Sequence, residues 1–144
     1  MSRFRKRSHT IWFCEYHLVW CPKYRYRVLA GKIKEEAEMC LREQSRQMEC
    51  EVVELNVQVD HVHLVVMIPP KVRISDYMGR LKGKSAIRLF GAFRDLRRRP
   101  YWGNHFWVEG YCVGTVGLDE EKIRKYVKYQ ERQEQRQEEF RFSR

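Results

Sequence analysis

No run of this 144-residue chain approaches the roughly 20 consecutive apolar residues that a membrane helix needs, because arginine, lysine or glutamate interrupts every apolar stretch. The basic start "MSRFRKRSHT" is not followed by an apolar stretch ending in a small-residue cleavage site, so a secretory signal is not expected either. These absences predict a cytosolic protein without a membrane partner. The five cysteines, Cys14, Cys21, Cys40, Cys50 and Cys112, are an odd number and contain no CxxC pair. That argues against a disulfide framework and against a zinc ribbon, and predicts free thiols in or near the core. There is no GxxxxGK[ST] phosphate loop, no GxGxxG and no GxSxG elbow. Neither a nucleotide nor a dinucleotide cofactor is indicated.

Positive charge is abundant. Against 19 acidic residues stand 29 basic ones, giving a formal net charge of +10. An anionic partner follows from that balance, with nucleic acid the leading candidate. The length and a hydrophobic content of 43% suit one domain, residues 1–144, with a substantial core. No internal repeat or linker divides it.

The pattern of apolar residues predicts the element order. An aromatic-rich alternation from about Ile11 to Trp20 reads as a strand that Pro22 ends. From Lys32 to Met48, Ile33, Ala37, Cys40, Leu41, Gln44 and Met48 recur at helical spacing, with Gln44 the one polar member. "CEVVELNVQVD" alternates with Val53, Leu55, Val57 and Val59 on one face, and a short turn leads into "HLVVMI", so the two form a hairpin. Ser75 is the expected N-cap of a helix carrying Tyr77, Met78, Leu81, Ile87, Leu89 and Phe90 at helical intervals. Gly79 and Gly83 weaken that helix and need another justification. "FWVEGYCVGTVG" gives a last strand, and Asp119, Glu120 and Glu121 open a final helix whose polar tail, "QERQEQRQEEFRFSR", frays or packs on a partner. Strand, helix, strand, strand, helix, strand, helix predicts an α+β fold: a ferredoxin-like (RRM-like) antiparallel sheet with helices on one face and one further C-terminal helix.

One stretch carries the chemistry. In "DHVHLVVMIPP", residues 60 to 70, His61 and His63 are two apart on a strand and therefore point to the same face. Two such imidazoles hold one divalent ion when a further ligand arrives from elsewhere; the ordinary alternative is a core histidine beside a turn histidine. In "EEKIRKYVKYQERQ", Tyr126 and Gln130 are four apart and stack on one helical face, where the helix by itself favours packing as the reading. A chain with no nucleotide-binding motif that breaks and rejoins a phosphodiester must conserve the bond energy itself, and a covalent phosphotyrosine does that. Tyrosine is a weak nucleophile at its usual pKa near ~10, so a divalent ion that polarises the phosphate is a reason for His61, His63 and Tyr126 to share a site. Two nitrogens and a carbonyl oxygen, completed by phosphate and water, suit Mg²⁺ or Mn²⁺.

Taken in order, "YHLVWCPKYR", "DHVHLVVMIPP", "YMGRLKGKSA", "FWVEGYCVGTVG" and "LDEEKIRKYVKYQ" resemble the HUH-superfamily single-tyrosine transposases of the smallest bacterial insertion sequences, over nearly the whole chain. The resemblance implies that His61 and His63 bind the metal, that Gln130 completes the ligand set and that Tyr126 is the nucleophile. It further implies cleavage of single-stranded DNA at element ends bearing hairpins, a 5′-phosphotyrosine with a free 3′-hydroxyl, and a homodimer in which the tyrosine helix of one subunit serves the histidines of the other. The glycines on either side of Thr115 and Val116, in "GTVG", are either a hinge for that exchange or simple turns. Tyr129 lies one residue before Gln130 and does not share its face, so Tyr126 is the better nucleophile.

Basic residues cluster at Arg3 to Arg7, Lys23 to Arg27, Arg80 to Arg88 and Arg94 to Arg99. Lys23, Arg25, Arg80, Lys82, Lys84 and Arg88 are the expected phosphate contacts, with Gly79 and Gly83 letting a nucleic-acid backbone approach, and with Tyr24, Tyr26 and Trp102 available for stacking on bases. The alternatives are a non-catalytic RRM-like binding module, against which the missing RNP1 run weighs, and a domesticated HUH hairpin nuclease.

Overall fold

A computed structural model describes residues 5–7, 10–98, 105–115 and 119–142. Its elements are β1 (Arg5–Arg7), β2 (Thr10–Trp12), β3 (Glu15–Trp20), a 3₁₀ turn (Lys23–Arg25), α1 (Gly31–Gln47), β4 (Glu51–Gln58), β5 (His61–Met67), α2 (Ile74–Ala92), α3 (Arg94–Arg97), β6 (Cys112–Gly114) and α4 (Glu120–Phe142). The four-stranded sheet has the order β4-β5-β3-β6, with every neighbouring pair antiparallel. Two strand–helix–strand halves interleaved in this way make the ferredoxin-like arrangement expected from the sequence.

Period-2 alternation divides the sheet into two unlike faces. Leu18, Trp20, Val62, Leu64 and Val66 turn toward α1 and α2 and join Ala37, Leu41, Tyr77, Met78, Leu81 and Leu89 in the main core. Val19 and Cys21 turn the other way and, with Val108, Ile123 and Val127, form a smaller cluster under α4. His61 and His63 belong to this second face, since Val62 and Leu64 between and beside them are fully buried in the main core. Buried hydroxyls tie α1 to α2 and α2 to the segment before β6: Ser45 Oγ and Tyr77 Oη lie 2.6 Å apart, and Trp107 Nε1 donates to Ser85 Oγ at 2.9 Å.

Several expectations are corrected. The long first strand is broken at Phe13 and Cys14, and its head pairs with β1 as a separate hairpin. In β4 a bulge between Val52 and Glu54 shifts the phase, so Val52 packs on the core while Val53 is 44% exposed. The α2 cap position is Arg73, with no side-chain cap bond, and Ser75 falls inside the helix. Ile87 is exposed, being out of phase with Tyr77, Leu81, Ser85 and Leu89. The expected last strand is a ladder only at Cys112–Gly114, because Gly110, at φ 97°, breaks the run; upstream, Trp107 forms a single bridge with Pro22. Gln44, the polar member of the α1 stripe, accepts from Arg80 Nε at 2.9 Å. α4 continues through the polar tail to Phe142, and within the chain Glu134 is buried against the 3₁₀ turn. Arg3, Arg99, Trp102 and Gly117, singled out above, lie outside the described residues.

All five thiols are free. Burial pushes Cys21 up to about 12 and Cys50 up to about 11, and raises Cys40 and Cys112 as well. Only the thiolate attacks a disulfide reagent. At pH 8, peptide mapping after treatment with an aromatic disulfide should therefore find the half-buried Cys14 labelled first, with Cys112, half-buried but raised by burial, following it. Cys21, Cys40 and Cys50 should react about 100-fold more slowly until denaturant is added. Equal labelling of all five in the native protein contradicts this packing.

Candidate active site

The turn between β4 and β5 places Asp60 immediately before His61, and their side chains meet: His61 Nδ1 and Asp60 Oδ1 are 2.9 Å apart. With Nδ1–H donating to the carboxylate, Nε2 is left with its lone pair for another ligand. Arg25 Nε donates to the other oxygen of Asp60 at 3.0 Å. Burial pulls the Asp60 carboxyl upward, but the hydrogen bonds and charges of His61 and Arg25 outweigh it and hold the group below its ordinary value.

His63 is set deeper. Its Nε2 is buried and has no hydrogen-bond partner among the described residues. Burial, then the neighbouring His17, lowers its pKa, against the opposing charge of Glu54. His17, on β3, has its ring centroid 5.7 Å from that of His63, and its own Nδ1 is likewise buried and unpartnered. A neutral imidazole with an unsatisfied buried nitrogen is a poor structural residue and a suitable metal ligand.

The third element is α4. Ile123 and Val127 pack on Val19, Cys21 and Val108, and this brings Tyr126 over the same cluster beside Cys112. The Tyr126 hydroxyl is buried with no hydrogen-bond partner among the described residues. Burial raises its pKa, with Cys21 and Cys112 adding to the rise; Gln130 is near enough to pull the other way yet makes no hydrogen bond to the hydroxyl. A cleft of about 280 Å³ separates α4 from the head of β5, lined by Arg25, Asp60, His61, Ile123, Val127 and Lys128. The structure thus brings His61, His63 and the tyrosine helix to one face of the sheet, while the Tyr126 hydroxyl lies among the cysteines instead of in the cleft beside His61.

No three His, Cys, Asp or Glu side chains among the described residues converge closely enough to hold a metal by themselves. Two imidazoles plus an amide oxygen lie outside that description, and the unpartnered Nε2 of His63 fits such a set.

The basic candidates fall into distinct environments. Lys23 pairs with Glu134 at 3.5 Å, and Arg25 with both Asp60 and Glu131, the latter at 2.6 Å. Arg88 is shared by Glu36 and Glu43 of α1. Lys82 Nζ donates to the carbonyls of Val108 and Gly110 at 2.6 and 2.9 Å, and burial lowers its pKa. Arg80 spans the neutral amides of Gln44 and Gln47 and so keeps its charge uncompensated by them. Lys84 is exposed. Nothing lies within 4 Å of a Cβ built on Gly79 or Gly83, so that face of α2 is open to an approaching backbone. Sequence reasoning passed over His17, Asp60, Glu131 and Glu134. The strand period would have placed His17 beside His63 once the pairing of β3 with β5 was known; no sequence signal foretells the two glutamates' partners.

A ferredoxin-like sheet carrying an HxH strand, with a tyrosine helix laid across the histidine face, defines an HUH-type transposase architecture. Residues 10–130 match the family described as IS200-like transposases, and the chain belongs to that family. It is 39% identical over 123 residues to the transposase of insertion sequence IS200 from Salmonella typhimurium, covering 85% of this chain and 80% of that one. It is also 39% identical over 117 residues to the ISDra2 transposase TnpA of Deinococcus radiodurans, covering 81% and 83%. Among solved structures, a Deinococcus radiodurans protein assigned as a transposase superposes with a TM-score of 0.78 at 36% identity, over 88% of this chain and 97% of that one. A REP-associated tyrosine transposase bound to a REP hairpin shares the fold at a TM-score of 0.54 and 14% identity, over 90% and 70%. The protein is therefore a transposase, a DNA-processing enzyme.

Proposed function

We propose that this transposase cuts and rejoins single-stranded DNA at element ends through a 5′-phosphotyrosine on Tyr126, with Mg²⁺ or Mn²⁺ held by His61, His63 and Gln130. The observation that carries the reading is the buried Nε2 of His63, without a hydrogen-bond partner among the described residues, on the sheet face that α4 covers. An ion held there would supply Lewis-acid polarisation of the scissile phosphate and offset the charge that develops on it. Asp60 fixes the tautomer and orientation of His61, and Arg25 in turn holds Asp60.

In the cleavage step the Tyr126 oxygen forms a bond to phosphorus as its proton leaves to water, and the bond from phosphorus to the 3′ oxygen breaks. That oxygen takes up a proton and becomes the free 3′-hydroxyl. Rejoining reverses the roles: a 3′-hydroxyl attacks, and the phenol departs with a proton. One phosphodiester is exchanged for another, so no nucleotide cofactor is needed.

Because the Tyr126 hydroxyl is buried, α4 must move before it reaches a phosphate, and a partner subunit's strand pair is the acceptor that a homodimer with shared sites would provide. Hairpin binding suits the open, basic face of α2 around Arg80 and Lys84, and the neighbour captured with a REP hairpin shares this fold. Unpaired bases fit the adjacent groove of about 680 Å³ lined by Lys23, Ile87, His105 and Trp107.

The direct test mixes the protein with 5′- and 3′-labelled single strands of its own element end, with Mn²⁺ or with EDTA, on denaturing gels. A protein-linked fragment carrying only the 3′ label, formed with Mn²⁺ and absent with EDTA, is expected. Tight binding of a verified end with no cleavage in Mn²⁺ defeats the catalytic reading.

A further inference from the structure

The 3₁₀ turn Lys23–Arg25 has an unusual backbone. Tyr24 and Arg25, neither of them glycine, both sit in the left-handed region, at φ 56° and 51°. Such conformations cost free energy and persist where the surroundings demand them. Here the result is a cradle for an anion. The Tyr24 N–H points at the Glu134 carboxylate, lying 3.0 and 2.9 Å from its two oxygens, and Lys23 Nζ stands 3.5 Å away. One helical turn back, Glu131 takes the Arg25 guanidinium at 2.6 Å.

These contacts hold the second half of α4. Its first half rests on the apolar Ile123 and Val127. Further along, the same helix face presents Glu131 and the 5%-exposed Glu134. A backbone N–H, an ammonium and a guanidinium are the donors that bind phosphate oxygens, and the chain as a whole is strongly basic. A carboxylate from α4 fills that donor set while the Tyr126 hydroxyl is shut away.

We propose that the Lys23–Arg25 turn is a binding site for a backbone phosphate of single-stranded DNA, and that Glu134, with Glu131, occupies it in the DNA-free chain. Phosphate arrival displaces the carboxylates, frees the second half of α4 and unburies Tyr126, so substrate binding and helix release are one event. The release step rests on the reading of Tyr126 as nucleophile; the phosphate site does not.

Both are tested without chemistry, in a Tyr126→Phe background, with an oligothymidine strand as the probe. Removing the competing charge by Glu134→Gln should tighten oligothymidine binding by about fivefold at low salt. It should also raise amide hydrogen exchange across residues 127–137 in the absence of DNA. Saturating oligothymidine should raise exchange over the same residues in the protein that retains Glu134. Lys23→Gln, which keeps Glu134 but weakens the cradle, should loosen α4 and lower the affinity together. If the folded Glu134→Gln variant binds oligothymidine no better or more weakly, if Lys23→Gln binds undiminished, if α4 exchange ignores DNA, or if no binding is measurable, the proposal is overturned. Release as expected with no covalent adduct from the unmodified protein on its own ends leaves the cradle standing and removes the tyrosine chemistry. An adduct with α4 protection unchanged by DNA removes the cradle alone.

Discussion

Tyr126→Phe should abolish the covalent DNA adduct and yield a protein slightly more stable than the original. The loss of cleavage is expected at about four orders of magnitude or more, because no other group in the site would replace a missing nucleophile. Tyr129, three residues on, is 56% exposed and points away from the cluster that holds Tyr126. Tyr129→Phe should accordingly leave adduct formation intact. The stability gain has a separate cause. The Tyr126 hydroxyl is buried with no hydrogen-bond partner among the described residues, and a buried unsatisfied hydroxyl costs about 1–3 kcal/mol relative to an apolar group of the same shape. Phenylalanine keeps the packing on Ile123, Val127 and Cys112 and removes that cost, so urea midpoints should rise by the equivalent of about 1 kcal/mol. A destabilised Tyr126→Phe protein implies that the hydroxyl is satisfied in solution, and an adduct that survives the change moves the nucleophile elsewhere.

Much of the fold was legible because the sheet has two unlike faces. Strict alternation in "HVHLVVM" put Val62 and Leu64 against the helices and both histidines opposite them, and the register of β5 against β3 has that result. Helical spacing likewise located Ala37, Cys40 and Leu41 in α1 and Tyr77, Met78 and Leu81 in α2, all buried. Where the reading failed, the cause was a local feature with no period. The bulge at Val52 and Glu54 costs one residue of phase and exposes Val53. Gly110 turns what looks like one long strand into a bridge and a three-residue ladder.

Charge was the least legible quantity. Counting cations along the sequence treats Arg88 and Lys84 alike, whereas Arg88 is clasped between Glu36 and Glu43 and Lys84 is exposed. A cation's partner is set by tertiary neighbours tens of residues away, such as the 106 that separate Arg25 from Glu131. The same holds for the candidate site: the spacing of the two histidines is a property of one strand, but the contact of His63 with His17, and the tie from Arg25 through Asp60 to His61, exist only once strands and turns are assembled.

His63→Leu should separate metal binding from folding. In the metal-free protein the folded pKa of His63 lies below its ordinary value, mainly through burial and then through His17. The unfolded chain therefore takes up a proton first, so this residue's contribution is intact above the unfolded value near ~6.5 and is lost as pH falls through and below it. Thermal unfolding between pH 7 and pH 5 should show a midpoint that drops with acidity, and His63→Leu should flatten that drop while raising the metal-free midpoint, since leucine leaves no orphaned nitrogen. Mn²⁺ should stabilise only the unsubstituted chain. A ligand at 100 times its Kd stabilises the unsubstituted chain by about 2.7 kcal/mol, and the same concentration should leave His63→Leu almost unmoved. Adduct formation in Mn²⁺ should fall at least about 100-fold in the variant. Equal protection of both proteins by Mn²⁺ places the ion away from β5. A steeper acid sensitivity in the variant means that His63 is charged in the fold, and with that its suitability as a neutral ligand fails.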